Sequence, residues 1–337
     1  MTTLADIITV LSQPVAYPEP TKQVEIVQTQ MSVVFLTDNF VYKIKKPVNL
    51  GYLDYTTLEK RQRLCEQEVR LNRRLCPEVY LGVVPIMLDK GKITLDGNAE
   101  PIEYAVKMRK LPHNRMMDVL LAKNRVTPTM VGQVAERVAD FHSKAETSPD
   151  IGKFGSLETV TFNTEENFSQ TEKYIGRAFT SEQYNRLVQY TRDFIKNKAV
   201  LFNKRVSDCK IKDCHGDLHA QHICFTDGIC IYDCIEFNDR FRYVDVAAEV
   251  SFLAMDLDRW GHPELSNHFV NAYVVRSGDR EILALLNFYK CYFAYVRAKV
   301  NCFRLDDALL SGEEKAKALA DARNYFALAE SYRMRDE

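Results

Sequence analysis

The 337-residue chain lacks long apolar runs and a surplus of one charge. Nothing reaches the ~18 apolar residues of a membrane span. At the N-terminus, no basic segment precedes a long apolar stretch, as a secretion signal would require. Lysine and arginine number 45 against 46 aspartate and glutamate residues, so the net charge is −1. This balance provides no electrostatic footprint for nucleic acid or an anionic membrane. We expect a protein that binds neither.

The chain also lacks closely spaced pairs of cysteines. Nine cysteines are present, but none form a C-x-x-C pair, which argues against a structural zinc site. Cys224, Cys230 and Cys234 lie in or beside apolar strands and are expected to be small buried hydrophobes. A reducing cytoplasm fits this use of cysteine best.

A third absence is the phosphate-binding sequence G-x-x-x-x-G-K-[ST], so no P-loop domain is expected. What remains is an ordinary globular composition, with 46% hydrophobic and 27% charged residues. The length is too great for one small core and is enough for two lobes.

Hydrophobic periodicity predicts a β-rich first part. A short helix is expected at residues 3–13 and a longer amphipathic helix from Leu53 to Leu75. Strands are expected near residues 24–28, 32–36, 40–45, 80–86 and 104–108. Three strands, a helix and further strands lack the regular alternation of a parallel doubly wound sheet.

After Leu111-Pro112 the pattern becomes helical. Helices are expected at residues 116–122, 130–143, 165–198 (two helices parted near 178–181), 244–255, 264–275, 281–303 and 313–332. We therefore predict an α+β fold with two lobes. A small antiparallel β lobe with one main helix occupies residues 1–110, and a larger α-helical lobe occupies 111–337.

The most informative segment runs from Asp213 to Asp239. It begins with the catalytic-loop candidate at residues 213–223, in which a His-Gly-Asp turn presents Asp217. Five residues later His222 opens a hairpin, residues 222–239, whose second strand ends in Asp233 and Glu236. A base, a metal-binding side chain and an acidic strand end are what phosphoryl transfer from a nucleotide–metal complex requires.

The segment His215-Gly-Asp217, followed by Ile235-Glu-Phe-Asn-Asp239, resembles the aminoglycoside phosphotransferase/choline kinase branch of the protein-kinase-like fold. Residues 40–43 resemble the strand that carries the nucleotide lysine, and residues 68–75 the helix whose glutamate pairs with it. Residues 106–112 resemble the hinge. The resemblance covers about residues 24–260.

Two further segments, residues 41–47 and 234–243, resemble the corresponding segments of one subgroup of this family. Its members are usually uncharacterised bacterial proteins, some of which carry an added P-loop domain.

The resemblance implies roles for the residues of the turn. Asp217 would accept the proton of the acceptor hydroxyl, a step worth about 10²–10⁴-fold in general-base catalysis. His215 would support the turn by hydrogen bonding. Lys43 would neutralise nucleotide phosphates and Glu68 would hold it in place. Lys45 shares the strand face with Lys43, so either lysine could serve, and we favour Lys43.

The resemblance also places the nucleotide. Backbone groups from Arg109 to Leu111 would meet the base of ATP or GTP. The glycine-rich phosphate loop is missing, because the stretch from Gln28 to Ser32 contains no glycine. Backbone amides or the Ser32 hydroxyl would have to contact phosphate there.

The metal site departs from the family pattern at His222, where the family normally has asparagine. Mg²⁺ prefers oxygen ligands, whereas imidazole suits Mn²⁺, zinc or iron. Another metal, a water bridge to Mg²⁺ and loss of activity are the three open outcomes. Glu236 is favoured as the second ligand and Asp233 is the alternative. A strand alternates its faces, so both can point inward only if the backbone bends between them.

The sequence thus predicts an enzyme, a cytoplasmic kinase that transfers the γ-phosphate of ATP or GTP, with Mg²⁺ or Mn²⁺, to a hydroxyl of a small molecule. A nucleotide-binding pseudokinase is one alternative, motivated by the missing glycines and by His222. A metal-dependent hydrolase that uses His215, Asp217, His219 and His222 is another. Asp256 and Asp258 would suit a cationic acceptor, or else be solvated loop residues.

Overall fold

A computed structural model describes residues 2–308 and 310–336. The chain forms two compact units, Met1–Leu120 with Gln221–Asp239, and Leu121–Ala220 with Arg240–Glu337. This division differs from the expected boundary at residues 110 and 111. The segment Gln221–Asp239, which contains the acidic hairpin, belongs to the first unit. No helix among the described residues is both long enough and apolar enough to cross a membrane.

The first unit is built on a six-stranded antiparallel sheet with the order β1-β2-β3-β6-β4-β5. Its strands are β1 Glu25–Gln28, β2 Ser32–Leu36, β3 Phe40–Lys45, β4 Tyr80–Asp89, β5 Lys92–Thr94 and β6 Pro101–Arg109. The helices α1 Leu4–Leu11 and α2 Leu58–Asn72 lie in this unit, and α3 Met117–Leu121 ends at its boundary. The hairpin contributes strands β8 Ile223–Phe225 and β9 Ile229–Ile231.

Strand β3 separates two environments. Tyr42 and Ile44 pack with Val33 and Phe35 in a buried core that also holds residues of α1. The alternate residues of the strand, Lys43 and Lys45, face Glu68 of α2 instead. This alternation follows from the period of two in a β-strand.

The predicted helix from Leu53 starts too early, because α2 begins at Leu58 with Thr57 as its N-cap. Leu53 and Tyr55 pack against Leu64 in a small buried cluster before the helix starts. These residues therefore continue the apolar periodicity without being helical.

The second unit is mainly helical. After the end of α3 its helices are α4 Pro128–Lys144, α5 Pro149–Gly152, α6 Leu157–Thr171, α7 Ser181–Asn197, α8 Ala199–Ser207, α9 Asp239–Arg242 (whose first residue closes the first unit), α10 Val246–Arg259, α11 Pro263–Ser277, α12 Leu286–Arg304 and α13 Gly312–Asp336. Two short strands, β7 Ile211–Asp213 and β10 Tyr243–Asp245, pair antiparallel beside the catalytic-loop candidate.

A buried ion cluster fixes the start of α10. Arg205 donates to both carboxylate oxygens of Asp245 at 2.6 and 3.0 Å and to Asp279 at 2.7 Å. Asp245 also caps α10 by accepting the N–H of Ala247 at 2.8 Å. The helix starts two residues later than the sequence predicts, because Tyr243–Asp245 belongs to β10.

Candidate active site

Two lysines of β3 share one glutamate of α2. The Lys43 Nζ lies 2.9 Å from Glu68 Oε1, and the Lys45 Nζ lies 2.6 Å from Glu68 Oε2. Glu68 is fully buried, so both of its oxygens are held by ammonium groups rather than by water. A buried carboxylate is stable only when it is paired in this way.

Each lysine has a second carboxylate partner in the hairpin. Lys43 Nζ lies 2.8 Å from Asp233 Oδ1, whereas Lys45 forms an ion pair with Glu236. Asp233 has a φ of 62°, in the left-handed region that few non-glycine residues adopt. Strand β9 ends at Ile231, so Asp233 and Glu236 lie beyond the strand rather than on it as expected, and both carboxylates face the lysine pair.

The two ion pairs differ in their exposure to solvent: Lys45–Glu236 is the inner pair and Lys43–Asp233 is the outer pair. The side chains of Lys45 and Glu236 are 1% and 5% exposed, and Tyr55 also donates its hydroxyl to Glu236 at 2.7 Å. The side chains of Lys43 and Asp233 are 17% and 41% exposed. Only the outer pair is open to a ligand. Glu236, favoured from sequence as the metal ligand, is committed to Lys45 and Tyr55.

The carboxylates keep the lysines charged. Burial alone would lower the pKa of Lys43, but the negative charges of Asp233, Glu68 and Glu236 outweigh it and raise that pKa well above its ordinary value. Burial opposes ionisation of Glu68 as well, yet Lys43 and Lys45 lower its pKa. Lys43 and Glu68 are therefore both charged at neutral pH.

His222 faces the open carboxylate. Its Nε2 lies 3.5 Å from Asp233 Oδ2, and its carbonyl accepts the N–H of Tyr232 at 3.0 Å across the hairpin. The Asp233 carboxylate and the His222 imidazole lie close enough to bind one divalent cation together. Such a pair of ligands fits Mn²⁺ better than Mg²⁺.

Three contacts attach the hairpin to the region around α2. Cys76 and Cys230 form a disulfide with a Cα–Cα distance of 4.8 Å, within the usual range for such bonds. The Cys234 N–H donates to Asn72 Oδ1 at 2.9 Å, and Gln67 Nε2 donates to the Glu236 carbonyl at 2.8 Å. Cys224, Cys230 and Cys234 are all buried as expected, but Cys230 is bonded to Cys76 rather than being a simple apolar side chain.

The turn between β1 and β2 has few backbone groups left for phosphate. Thr29 Oγ1 accepts the N–H groups of Met31 and Ser32 at 3.2 and 3.0 Å. Ser32 itself is buried. These amides are therefore already bonded within the turn, whereas the Lys43 side chain is 17% exposed.

The expected hinge, residues 106–112, begins within β6 and extends past the end of that strand at Arg109. The Arg109 N–H donates to the Val79 carbonyl at 2.9 Å, and the Lys110 N–H donates to the Asn39 carbonyl at the same distance. Leu111 packs against the buried cluster that includes Val106. The role of this segment in binding the nucleotide base stays a prediction.

The His-Gly-Asp turn lies in the second unit and depends on its glycine. Gly216 has a φ of 87°, and a Cβ there would lie 2.7 Å from the Phe241 carbonyl oxygen. The Asp217 N–H donates to His215 Nδ1 at 3.3 Å. The histidine is buried beneath the turn, and the Asp217 Oδ2 lies 3.5 Å from His219 Nε2.

A buried glutamate of α10 holds this turn from below. Glu249 Oε1 accepts the N–H groups of His215 and Gly216 at 2.6 and 2.7 Å. Its Oε2 lies 2.7 Å from His142 Nε2, and the other ring nitrogen of His142 lies 2.9 Å from the Tyr273 hydroxyl. Burial opposes the charge of Glu249, but the hydrogen bond and charge of His142 lower its pKa.

We expect Glu249→Gln to destabilise the protein by about 1.5–3 kcal/mol at neutral pH, because hydrogen bonds to a charged group are lost. The pKa of Glu249 is below its ordinary value of 4.5 in the folded protein, so its stabilisation is complete above that value and is lost as the pH falls through the folded pKa. Melting temperatures of both proteins should therefore converge in acid. Glu136→Gln, an exposed change on α4, is the control, and equal melting temperatures at pH 7 would contradict this role.

Known proteins similar to the chain fall into two groups. Uncharacterized proteins from Mycobacterium bovis and Mycobacterium tuberculosis are 32% identical over 307 residues. The match covers 91% of this chain, which spans 59% of the length of those relatives. No protein-family model matches the chain.

Two solved structures align over nearly the whole chain. A choline/ethanolamine kinase family protein from Mesorhizobium loti aligns with a TM-score of 0.54 at 11% identity, covering 96% of this chain and 99% of the other. The chain has the protein-kinase-like fold. A protein from Ralstonia eutropha, provisionally assigned to the aminoglycoside phosphotransferases, aligns with the same TM-score at 12% identity, covering 95% and 94% of the two chains.

Within this fold, sequence reasoning missed Glu249 as an anchor of the turn. A signal was available, because Glu249 is a lone acid in the apolar run Val246-Ala-Ala-Glu-Val-Ser-Phe-Leu253. An acid inside such a run must be buried and paired. The role of Tyr55 left no comparable signal, since a tyrosine before a helix is common.

Proposed function

We propose that the protein is a phosphotransferase of the aminoglycoside phosphotransferase/choline kinase family, which transfers the γ-phosphoryl group of ATP or GTP to a hydroxyl of a small molecule. The open Lys43–Asp233 pair, anchored by buried Glu68, carries the proposal. A charged lysine beside an accessible carboxylate is what a nucleotide triphosphate and its cation require.

The reaction assigns a step to Asp217. The acceptor hydroxyl oxygen attacks the γ-phosphorus, and the bond from that phosphorus to the oxygen of the leaving nucleoside diphosphate breaks. The hydroxyl proton passes to the Asp217 carboxylate, while Lys43 neutralises charge on the nucleotide phosphates. Glu249 and His215 position the turn that presents Asp217.

A divalent cation, Mg²⁺ or Mn²⁺, would be held by Asp233 and His222. When bound it would supply charge neutralisation for the phosphates. The imidazole favours Mn²⁺, so the substitution of His222 for the asparagine of related kinases is a change of metal preference rather than a loss of the site.

We expect His222→Asn to reverse that preference. The ratio of turnover with Mn²⁺ to turnover with Mg²⁺ should fall by about tenfold or more, the usual scale for changes around a metal site. The rise in melting temperature with each ion, in the presence of nucleotide, should change in the same direction. Gln221→Asn, an exposed neighbour, is the control. An unchanged ratio would remove His222 from the site.

A nucleotide-binding pseudokinase is the second candidate. The observation that favours it is the β1–β2 turn, whose Met31 and Ser32 amides are bonded to Thr29. Thermal-shift measurements with ATP and GTP, with and without Mg²⁺ or Mn²⁺, test nucleotide binding. Assays of phosphate transfer over a library of hydroxylated metabolites follow. Binding without any phosphorylated product would favour the pseudokinase, and no binding would contradict both functions.

A further inference from the structure

The wall beside Asp217 is made by α10 and α12. The rings of Phe252 and Phe293 stack at 4.2 Å with an angle of 9° between them. The His219 ring lies 5.7 Å from Phe252, and His219 Nε2 lies 3.5 Å from Asp217 Oδ2. Through these contacts, the part of α12 around Phe293 lies near Asp217, the residue proposed to act as the base.

One helical turn further along each helix the wall becomes charged. Residues four apart lie on the same helix face, so Asp256 follows Phe252 on α10 and Arg297 follows Phe293 on α12. Asp256 Oδ2 accepts the Ala220 N–H at 2.8 Å and so holds the far end of the loop. Asp256 is therefore a buried anchor rather than a solvated residue.

Arg297 stands out in this wall. It is partly buried, and among residues 2–308 and 310–336 no carboxylate lies within 4.0 Å of its guanidinium. Its Cζ lies 6.0 Å from the Tyr325 ring centroid. Arg259 lies 5.3 Å from the same ring but is already paired with Asp321 at 3.1 Å. Arg297 thus hydrogen-bonds to the Tyr325 side chain, whereas Arg259 is paired with a carboxylate.

The surroundings keep Arg297 charged. Burial alone would lower its pKa, but Tyr325 and the carboxylates of Asp217 and Asp256 raise it. A partly desolvated guanidinium without a direct counter-ion favours an anion, and its planar fork matches a carboxylate or a phosphate with two parallel hydrogen bonds.

Asp258, the second acidic residue considered from the sequence, does not pair with Arg297. Asp258 is paired with Lys290 at 2.9 Å and accepts the Tyr332 hydroxyl at 2.6 Å. Asp256 and Asp258 are thus both committed, so the expectation of an acidic pocket for a cationic acceptor finds no support in their contacts.

We propose that the phosphate acceptor carries an anionic group, a carboxylate or a phosphate ester, which Arg297 binds while the acceptor hydroxyl faces Asp217. The proposal rests on the proposed phosphotransferase function and specifies its substrate class. The hydroxyl proton passes to Asp217 as before, and the anionic group takes no part in bond making or breaking.

Acceptors that share a carbon skeleton test the charge requirement. Glucose, gluconate, glucose 6-phosphate and glucosamine form one series, and glycerol, glycerate and glycerol 3-phosphate form another. Release of nucleoside diphosphate and formation of the phosphorylated acceptor are measured for each. We expect a lower KM for the acids than for the neutral and amine members. Comparing the carboxylic acids with the phosphate esters in each series shows which anionic group binds better to the acceptor site.

Arg297→Gln tests the residue. The KM for anionic acceptors should rise about 30–1,000-fold, the scale for truncating one partner of a desolvated charge pair, while kcat and the KM for nucleotide stay near wild-type values. Arg297→Lys should restore part of the loss. Arg304→Gln removes an exposed positive charge near the end of the same helix and serves as the control.

Three outcomes would overturn the inference. They are a preference for neutral or amine acceptors, a fall in kcat of Arg297→Gln for every acceptor alike, and acids that neither react nor bind to the protein loaded with a non-hydrolysable nucleotide and Mn²⁺. Each leaves the proposed function standing if another acceptor is phosphorylated. The proposed function fails separately if Asp217→Asn transfers phosphate as fast as the wild type.

Discussion

Lys45→Met is expected to destabilise the protein by about 3–5 kcal/mol, the scale for removing one partner of a buried ion pair. The change leaves Glu236 and one oxygen of Glu68 buried without their ammonium partner. Urea unfolding of the wild type and the variant measures the difference directly.

Lys43→Met is the matched comparison. Asp233 is 41% exposed and Glu68 keeps Lys45, so this change should cost only about 1 kcal/mol of stability. Its effect should appear in nucleotide binding instead. Lys46→Met serves as the control outside the network. Equal loss of stability in the Lys43 and Lys45 variants would contradict the division into inner and outer pairs.

Asp217→Asn is expected to slow phosphate transfer by about 10²–10⁴-fold, because the variant cannot accept the hydroxyl proton. Nucleotide binding and melting temperature should stay close to the wild type, since the Asn side chain keeps the shape of the turn. Steady-state turnover and calorimetric binding of nucleotide check the two halves of this prediction.

Asp227→Asn removes an exposed carboxylate at the tip of the neighbouring hairpin and controls for the change in charge. If Asp217→Asn loses nucleotide binding along with turnover, Asp217 acts through folding of the site rather than as a base.

Local patterns were enough to predict much of the fold. The strands near 32–36 and 40–45, the hairpin on either side of Thr226–Gly228 and the helical second part all follow from hydrophobic periods of two and 3.6. The lysine pair on one strand face follows from the same rule.

Long-range pairing was beyond these patterns. The Cys76–Cys230 disulfide joins residues 154 positions apart, with no local spacing that indicates it. The choice between Asp233 and Glu236 depended on which carboxylate is buried against Lys45 and Tyr55, which sequence does not reveal. The break at Leu285, before α12, was hidden because residues 280–284 form a short 3-10 helix that continues the helical period.

Arg297 shows a further limit. In the sequence it is one arginine of a mixed helix. Its proposed role depends on the contacts of Phe293 with Phe252, and of Phe252 with His219 beside Asp217. The role of such a residue is inferred from contacts between helices, because no sequence motif indicates it.

Transfer of labelled phosphate tests the central claim most directly. The protein is incubated with γ-labelled ATP or GTP, Mn²⁺ or Mg²⁺, and a pool of hydroxylated metabolites, and the label is followed by chromatography. The account predicts label in a small organic molecule, lost in Asp217→Asn. Label that stays in the nucleotide, or appears only as inorganic phosphate with the wild type and the variant alike, would contradict it.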